Sequence, residues 1–319
     1  MRQCFSIGLF ALLVLSLPGC GGFRDTKPQL PGNLDTLCMP DYASGFEMYR
    51  YDSSTLLRIV NPWQGADSVS QWVFLSRDDE KPPKGFAGET IDVPVRRIVC
   101  MSSSYVAFLE ALGADSTICA ISGTGYIWSD KVRNRIAGGE IAEAGFDNSL
   151  NFEKLVALKP DVVFLYGLTG KNAVTDKLHE LGLKTVYIGD YVENNPLGRA
   201  EWITVFGEFT GRRELARTLF DSISNEYNRA KALVSGVEKR PEVMLNAPWQ
   251  DSWFVPGDRS YMVRLLEDAG GNYACRGVDS DQSRPISTET AFVAASQSDF
   301  WLSPGTATSL AELNAMNPR

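Results

Sequence analysis

The sequence predicts an α/β protein of two Rossmann-like lobes with parallel sheets, joined by a long helix and preceded by a small β-rich segment. Three observations lead to this fold class. From residue 97 onward, short apolar stretches alternate with helical patterns. Strands that are apolar throughout and alternate with helices indicate a parallel sheet covered on both faces. One strand-and-helix unit also occurs twice, with an uninterrupted helical pattern between its two copies.

The N-terminus predicts a signal peptide over residues 1–19. Arg2 precedes an apolar run over residues 5–17, which is too short for a membrane-spanning helix of about 20 residues. The run ends in Leu17-Pro18-Gly19-Cys20, which resembles a bacterial lipobox. We therefore expect lipid on Cys20, with residues 20–40 as a lipid-anchored linker in the periplasm. A conventional signal peptide with an incidental cysteine is the alternative.

Each later segment follows from its hydrophobic pattern. Residues 41–96, called the prelude, alternate apolar with polar and predict strands at 46–51, 56–60 and 72–75. Residues 97–196 predict the first lobe, and residues 197–236 the inter-lobe helices, of which 213–234 forms one helix roughly 33 Å long. Residues 237–319 predict a second lobe that looks incomplete, because no strand corresponds to the last one of the first lobe.

Composition narrows the possible functions. The formal net charge is −8 and there is no basic run, which argues against a nucleic-acid partner. His179 is the single histidine, so a multi-histidine metal site is excluded. There is neither a dinucleotide fingerprint nor a phosphate-binding loop. The sequence therefore predicts no catalytic residue, no metal site and no cofactor.

Two glutamates occupy matching places in the repeated unit. Asn151-Phe152-Glu153 and Ser287-Thr288-Glu289 each open a helix that leads to an aspartate and an apolar strand. The helix dipole alone favours an acid there by roughly 0.3–1 kcal/mol. Their equivalent placement in two lobes favours a second role, in which both carboxylates dock on arginines of a partner.

Aromatic side chains follow several predicted strands. In open α/β sheets, ligands bind beyond the carboxyl ends of the strands. The candidate ligand-binding residues are Tyr105, Tyr126, Trp128 and Tyr166 in the first lobe, and Trp249, Trp253 and Arg284 in the second. An aromatic cleft suits a large, flat ligand, and Arg284 suits an anionic group on it. Alternatively, some rings pack the lobes against the prelude and Arg284 is a solvated loop arginine.

Cys100 and Cys119 fall on consecutive predicted strands. They are expected to form a disulfide or to be two buried free thiols.

Several segments resemble the class III substrate-binding proteins of ABC importers, which serve vitamin B12, ferric siderophores and haem. They are RIVCMSS at 97–103, LEALGA at 109–114, NFEKLVALKPDVV at 151–163 and LG at 181–182. The resemblance spans residues 97–317 and leaves the prelude outside it. It implies that Glu153 and Glu289 dock in arginine pockets of a permease dimer. It also implies a cargo that is an iron chelate, haem or a corrinoid, and a protein that is not an enzyme.

Two other functions fit the same two-lobed architecture. One is a transferase-type enzyme that uses the same cleft, for which no nucleophile, base or phosphate-binding loop is visible. The other is a scavenging receptor without a permease, in which the prelude is the interface for a partner.

Overall fold

The computed structural model describes residues 34–146, 149–167, 173–249, 252–302, 307 and 309–316, with Trp249 and Met316 described by their backbone only. The predicted signal peptide, Cys20 and most of the linker lie outside the described residues. The strands are β1 (Asp35–Cys38), β2 (Phe46–Tyr51), β3 (Ser54–Val60), β4 (Ser70–Ser76), β5 (Glu89–Asp92), β6 (Ile98–Cys100), β7 (Ile118–Ile121), β8 (Ala142–Glu143), β9 (Val162–Leu165), β10 (Thr185–Tyr187), β11 (Glu242–Leu245), β12 (Pro248–Trp249), β13 (Ser252–Val255), β14 (Asn272–Tyr273), β15 (Arg284–Ile286) and β16 (Phe300–Leu302). The helices are α1 (Ser103–Ala111), α2 (Asp130–Ala137), α3 (Phe152–Leu158), α4 (Ala173–Glu180), α5 (Pro196–Glu201), α6 (Ile203–Thr210), α7 (Arg213–Val234), α8 (Tyr261–Asp268), α9 (Thr288–Ser296) and α10 (Leu310–Met316).

The prelude forms a five-stranded sheet in the order β1-β2-β3-β4-β5, antiparallel except for the parallel pair β4 and β5. The sequence predicts β2, β3 and β4 but misses the two edge strands. β1 lies inside the predicted linker, and the sheet starts at Asp35. Both missed strands have four residues, which is too short for alternation to be legible.

The first lobe contains a parallel sheet, as the sequence predicts. Its strand order is β10-β9-β6-β7-β8, and the two-residue strand β8 is not predicted. One face of it shares a hydrophobic core with the prelude sheet, and helix α6 is buried along its whole length between them. Phe206 of this helix lies 5.2 Å from Phe164 in β9, and Trp202 just before it lies 5.0 Å from Phe46 in β2 (ring centroids). The prelude is thus an added layer of the first lobe.

A glutamine of the prelude covers the edge of this parallel sheet. The side-chain amide of Gln71 donates to the carbonyl oxygen of Thr185 and accepts from the backbone N–H of Tyr187, both at 2.9 Å. Because β10 is the edge strand, these backbone groups would otherwise lack strand partners. The amide therefore takes the place of a further strand.

Two buried carboxylates fix the chain segment that leads into β2. Glu201 accepts hydrogen bonds from the backbone N–H groups of Asp41, Tyr42 and Ala43. Glu193 accepts from the next two backbone N–H groups and from the indole N–H of Trp202. Buried carboxylates are tolerated only when they are this well hydrogen-bonded. These contacts therefore fix the position of the chain segment before β2.

Helix α7 spans Arg213–Val234, the range that the sequence predicts. Its C-terminal half contacts the second lobe, where Asp268 accepts from the hydroxyl of Tyr227 at 2.9 Å and pairs with Lys231 at 2.7 Å. The guanidinium of Arg199 in α5 lies 4.0 Å from the ring centroid of Tyr261 in α8. Helix α8 is therefore held to the inter-lobe helices at both of its ends.

The second lobe repeats the core of the first. Its parallel strands run in the order β14-β11-β16, which corresponds to β7-β6-β9. The repeat extends to single hydrogen bonds. Asp161 accepts from the backbone N–H of Arg97 just before β6, and Asp299 accepts from that of Glu242 at the start of β11, both at 2.9 Å. Each aspartate lies just before its own strand, β9 or β16, and hydrogen-bonds the start of the neighbouring strand, β6 or β11. A small antiparallel sheet, β12-β13-β15, lies outside this repeat and is not predicted by the sequence.

Cys100 and Cys119 are buried free thiols. Cys100 packs in the core shared with the prelude, and Cys119 packs in the core on the opposite face of the sheet. Because the two side chains point to different faces, they form no disulfide.

His179 connects helix α4 to the prelude sheet. Its Nε2 lies 2.7 Å from Oγ1 of Thr185 and 3.2 Å from a carboxylate oxygen of Glu89 in β5. The hydrogen bond with Glu89 raises the pKa of His179, and it outweighs the opposing effect of partial burial.

We therefore expect a pH-dependent contribution of His179 to stability. A group whose pKa is raised on folding stabilises fully below its unfolded pKa, about 6.5 for histidine, and loses this contribution as the pH rises through the folded value. Both side chains are partly exposed, so the effect is at most about 1 kcal/mol. Urea unfolding of wild type and His179→Gln should differ at about pH 5.5 and converge near about pH 8.5. An equal difference at both pH values would contradict this assignment.

Candidate functional site

Three large aromatic side chains are exposed near the carboxyl ends of β7 and β8 in the first lobe. Tyr126 and Trp128 follow β7 and are 70% and 91% exposed. Phe146 follows β8 and is 47% exposed. All strands of this sheet are parallel, so these loops lie at the same sheet edge. We call the three residues the aromatic edge.

Gly123 lies between two of these rings. A Cβ atom at this position would lie 2.9 Å from the ring of Tyr126 and 3.3 Å from that of Phe146. Its φ of +75° is also a conformation that residues with a side chain rarely adopt. Both constraints require glycine, and both rings approach the same backbone position. They are therefore neighbours at the surface.

Glu143, the last residue of β8, holds the two aromatic loops together. Its carboxylate accepts from the backbone N–H groups of Gly123, Thr124 and Gly145 at 3.0, 2.8 and 2.9 Å. The hydroxyl of Thr124 donates to it at 2.6 Å. Burial acts to raise the pKa of Glu143, but these hydrogen bonds outweigh it and lower the pKa. The carboxylate stays ionised and keeps the loops in place.

Two predicted ligand contacts are core residues instead. Tyr105 is fully buried, its ring packs beside Phe164 and Phe206, and its hydroxyl donates to the carbonyls of Leu165 and Ile188. Burial also raises its pKa well above the ordinary value. It has no surface to offer a ligand.

Trp253 is 8% exposed and lies in the core of the second lobe. Its indole N–H donates to the carbonyl of Leu245 at 3.1 Å, and its ring lies 5.4 Å from that of Trp301. The aromatic pattern in this part of the sequence reflects packing. Phe254, the next residue of β13, points the other way and is 42% exposed.

The other predicted contacts are placed as follows. Tyr166 directly follows β9 at the same sheet edge and is half-buried against both cores of the first lobe. Trp249 ends β12, and its side chain lies outside the described part. Arg284 begins β15 and is half-buried. It forms no ion pair with a described carboxylate, and its Nε is buried without an acceptor.

Glu153 and Glu289 both lie in the first turn of their helices, α3 and α9. Asn151 and Ser287 cap these helices by accepting from backbone N–H groups, in the same way in both lobes. Both glutamates are exposed, and neither pairs with a cation among the described residues. The hydrogen bond from its own backbone and that from Ser287 lower the pKa of Glu289. Their role as docking residues remains a prediction.

Sequence reasoning missed Phe146. Strand β8, which precedes it, has two residues and so gives no periodic signal, and residues 147 and 148 lie outside the described part. The pattern Gly145-Phe146 could have marked it only if β8 had been recognised. Sequence reasoning also placed no pocket beside the prelude, where two pockets of about 400 and 370 Å³ lie between that segment and α7, away from the aromatic edge.

No helix among the described residues is long and apolar enough to cross a membrane.

A family model of periplasmic binding proteins matches residues 98–315 of the chain. An uncharacterized lipoprotein of Methanocaldococcus jannaschii is 26% identical over an alignment of 352 residues. The alignment covers 100% of this chain and 84% of that protein. A second uncharacterized lipoprotein of the same organism is 27% identical over 259 residues, which cover 78% of this chain and 63% of that protein.

Three solved structures share the fold. A possible iron-binding, periplasmic solute-binding protein of Staphylococcus epidermidis gives a TM-score of 0.56 at 19% identity, covering 71% of this chain and 83% of that one. The periplasmic haem-binding protein HutB of Vibrio cholerae gives 0.56 at 20% identity, covering 69% and 82%. A periplasmic haem-binding protein of Pseudomonas aeruginosa gives 0.54 at 21% identity, covering 70% and 78%.

Proposed function

The chain belongs to the periplasmic binding protein family, and we propose that it is the substrate-binding lipoprotein of an ABC importer. In this role it captures a bulky, flat ligand and delivers it to a permease dimer. The ligand class is an iron chelate (a siderophore or haem) or a corrinoid. The observation that carries the proposal is the aromatic edge: Tyr126, Trp128 and Phe146 exposed together at the carboxyl ends of parallel strands.

Exposed aromatic rings favour a ligand with a large apolar face. Trp128 is 91% exposed, and a ligand that covers it removes apolar surface from water and stacks on the indole. Contiguous exposed apolar surface marks binding sites in soluble proteins. The names of three structural neighbours, two haem-binding and one possibly iron-binding, support the same ligand class.

The second lobe supplies a charge for the same ligand. Arg284 has a half-buried guanidinium with a donor that lacks an acceptor, and haem carries carboxylates while many ferric chelates are anionic. A bidentate guanidinium–carboxylate contact would fix the orientation of a flat ligand on the rings.

Delivery depends on Glu153 and Glu289, which dock on arginines of the permease. Lipid on Cys20 keeps the protein at the membrane, in the periplasm, where the permease is. The function is binding without catalysis, which agrees with membership of a family of binding proteins.

A ligand panel tests this function. The full chain is titrated with haemin, a ferric hydroxamate, a ferric catecholate and cobalamin, and its melting temperature is followed alongside the binding enthalpy. One class should bind at a one-to-one ratio and raise the melting temperature. At a ligand concentration of 100 times Kd the stabilisation is about 2.7 kcal/mol. A small polar solute such as an amino acid is the matched control. Failure of all four ligands to bind would reject the proposed ligand class.

A further inference from the structure

Arg199 in α5 contacts both lobes at once. Its Nε donates to the carbonyl oxygen of Asp190 at 3.1 Å, and its Nη2 donates to that of Tyr191 at 2.8 Å. The same guanidinium lies 4.0 Å from the ring centroid of Tyr261, the first residue of α8 in the second lobe. Arg199 and Tyr261 are both half-buried, which shields this cation–π contact from water and strengthens it.

The two carbonyls belong to the segment that follows β10, residues 188–193, which we call the β10 loop. It lies at the carboxyl edge of the parallel sheet, as the aromatic edge does. The hydroxyl of Tyr191 donates to the carbonyl of Gly167, which follows β9. Asp190 is 3% exposed, and its burial raises its pKa against the opposing effect of a hydrogen bond with Ser104 in α1. The β10 loop is therefore joined to the segments that follow β9 and β6.

The prelude also braces the β10 loop. The backbone N–H of Gln64 donates to the hydroxyl of Tyr191 at 3.2 Å. Trp63 forms an isolated parallel bridge with Gly167, where a Cβ atom would come within 2.7 Å of the indole ring. Because these contacts restrain the β10 loop, Arg199 connects the second lobe to a fixed point of the first.

The far end of α8 is attached to the inter-lobe helices by other residues. Asp268 contacts Tyr227 and Lys231 of α7, and a Cβ atom at Gly270 would lie 3.0 Å from the Cβ atom of Val234. Asp268 ends α8, and none of these five residues belongs to the β10 loop. Of these two attachments of α8, the one through Arg199 is therefore the one that reaches the carboxyl edge of the first lobe's sheet.

We propose that Arg199 is a positioning residue of the ligand site, which fixes the second lobe relative to the carboxyl edge of the first lobe's sheet. This role rests on the proposed function, in which one ligand contacts both lobes. Strand β8 lies four strand spacings from β10, so the far end of this edge is roughly 19 Å away. A rotation of about 10° at the Arg199 contact would move the second lobe by roughly 3 Å over that distance, which is close to a whole van der Waals contact distance. A small loosening at Arg199 therefore suffices to separate the ligand contacts of the two lobes.

Hydrogen–deuterium exchange on the ligand-free full chain tests this role. The reporters are the backbone N–H groups of Ile188, Val192 and Glu193 in the β10 loop, which donate to backbone carbonyls at 2.9, 3.1 and 3.3 Å. Tyr261→Leu removes the ring in the second lobe and leaves every residue of the β10 loop unchanged. We expect exchange at the reporters to become roughly three- to tenfold faster, because the guanidinium loses the contact that holds it in place. Arg199→Gln should give at least the same acceleration.

Tyr261→Phe is the rescue variant, since it keeps an aromatic face for the guanidinium and should exchange like wild type. Tyr227→Phe is the matched control, because it removes the hydroxyl that contacts Asp268 at the far end of α8 and should leave the reporters unchanged. If Arg199 only satisfied two carbonyls of the first lobe, Tyr261→Leu would leave them unchanged as well, and that result would overturn the proposal. Equal acceleration by Tyr227→Phe would also overturn it, because any loosening of α8 would then suffice. No ligand enters the experiment, so failure of the proposed ligand class does not alter its outcome.

Discussion

Reversal of Glu153 and Glu289 to arginine in one chain is expected to abolish ligand uptake by cells while ligand affinity in solution stays nearly unchanged. Both carboxylates are exposed at equivalent helix starts and have no described cation partner. An arginine of the permease that loses its carboxylate in a desolvated contact costs about 2–5 kcal/mol, and an opposing arginine adds repulsion. Two such contacts would remove productive docking.

A different outcome is expected if Glu153 and Glu289 only stabilise their own helices through the helix dipole. An acid in the first turn of a helix contributes roughly 0.3–1 kcal/mol to stability, so the double reversal would lower the melting temperature slightly and leave uptake intact. Asp130→Arg is the matched control. Asp130 is also an exposed acid in the first turn of a capped helix, α2, but it lies outside the repeated unit. It should reproduce the stability change without the transport defect.

Uptake is measured at equal protein levels, with melting temperature and ligand affinity determined on the purified variants. Wild-type uptake by the double reversal would remove the docking role of Glu153 and Glu289. Loss of uptake in Asp130→Arg would show that the readout reports helix stability rather than docking.

Glu208→Ala is expected to lower the free energy of unfolding by about 3–5 kcal/mol, because breaking a buried ion pair leaves uncompensated charge. The carboxylate joins the prelude to the inter-lobe helices. It accepts from the hydroxyl of Thr55 in β3 at 2.9 Å and pairs with Arg77 and Arg213. Burial acts to raise its pKa, but the hydrogen bond and charge of Arg213 and the further contacts outweigh this and lower it.

Urea unfolding measures this change. Glu180→Ala is the control, since Glu180 is exposed and pairs with Lys177 on the same helix turn. Such surface pairs contribute up to about 1 kcal/mol. A cost for Glu208→Ala no larger than that of Glu180→Ala would mean that the buried ion pairs of Glu208 contribute no more to stability than an exposed pair does.

Much of the fold can be predicted because its central elements are long or continuously apolar. Strand β9 is buried at every residue, and α7 carries a helical pattern over its whole length. The edge strands β1 and β5 could not be found in this way. Nor could the role of Gln71, because its pairing with β10 joins residues more than a hundred positions apart.

The candidate site was predictable only in part. Tyr126 and Trp128 lie in a loop with little regular structure and are exposed. Tyr105 belongs to the buried face of α1, together with Leu109, and this helical spacing was a signal for packing. Trp253 and Val255 alternate with exposed Phe254 along β13, which is the equivalent signal in a strand. An aromatic residue near a strand end is therefore a candidate for ligand binding only when it does not belong to the periodic pattern of buried residues in a helix or strand.

The most direct test of the central claim is the affinity of an aromatic-edge variant for the ligand that the panel identifies. Tyr126→Ala, Trp128→Ala and Phe146→Ala are combined in one chain, and Phe292→Ala on α9, where Phe292 is 72% exposed, is the control. Calorimetric titration should give a Kd at least about tenfold higher for the triple variant, since each central aromatic anchor contributes about 1–3 kcal/mol. The control should bind like wild type. Wild-type affinity in the triple variant would contradict the account, because the ligand would then bind elsewhere.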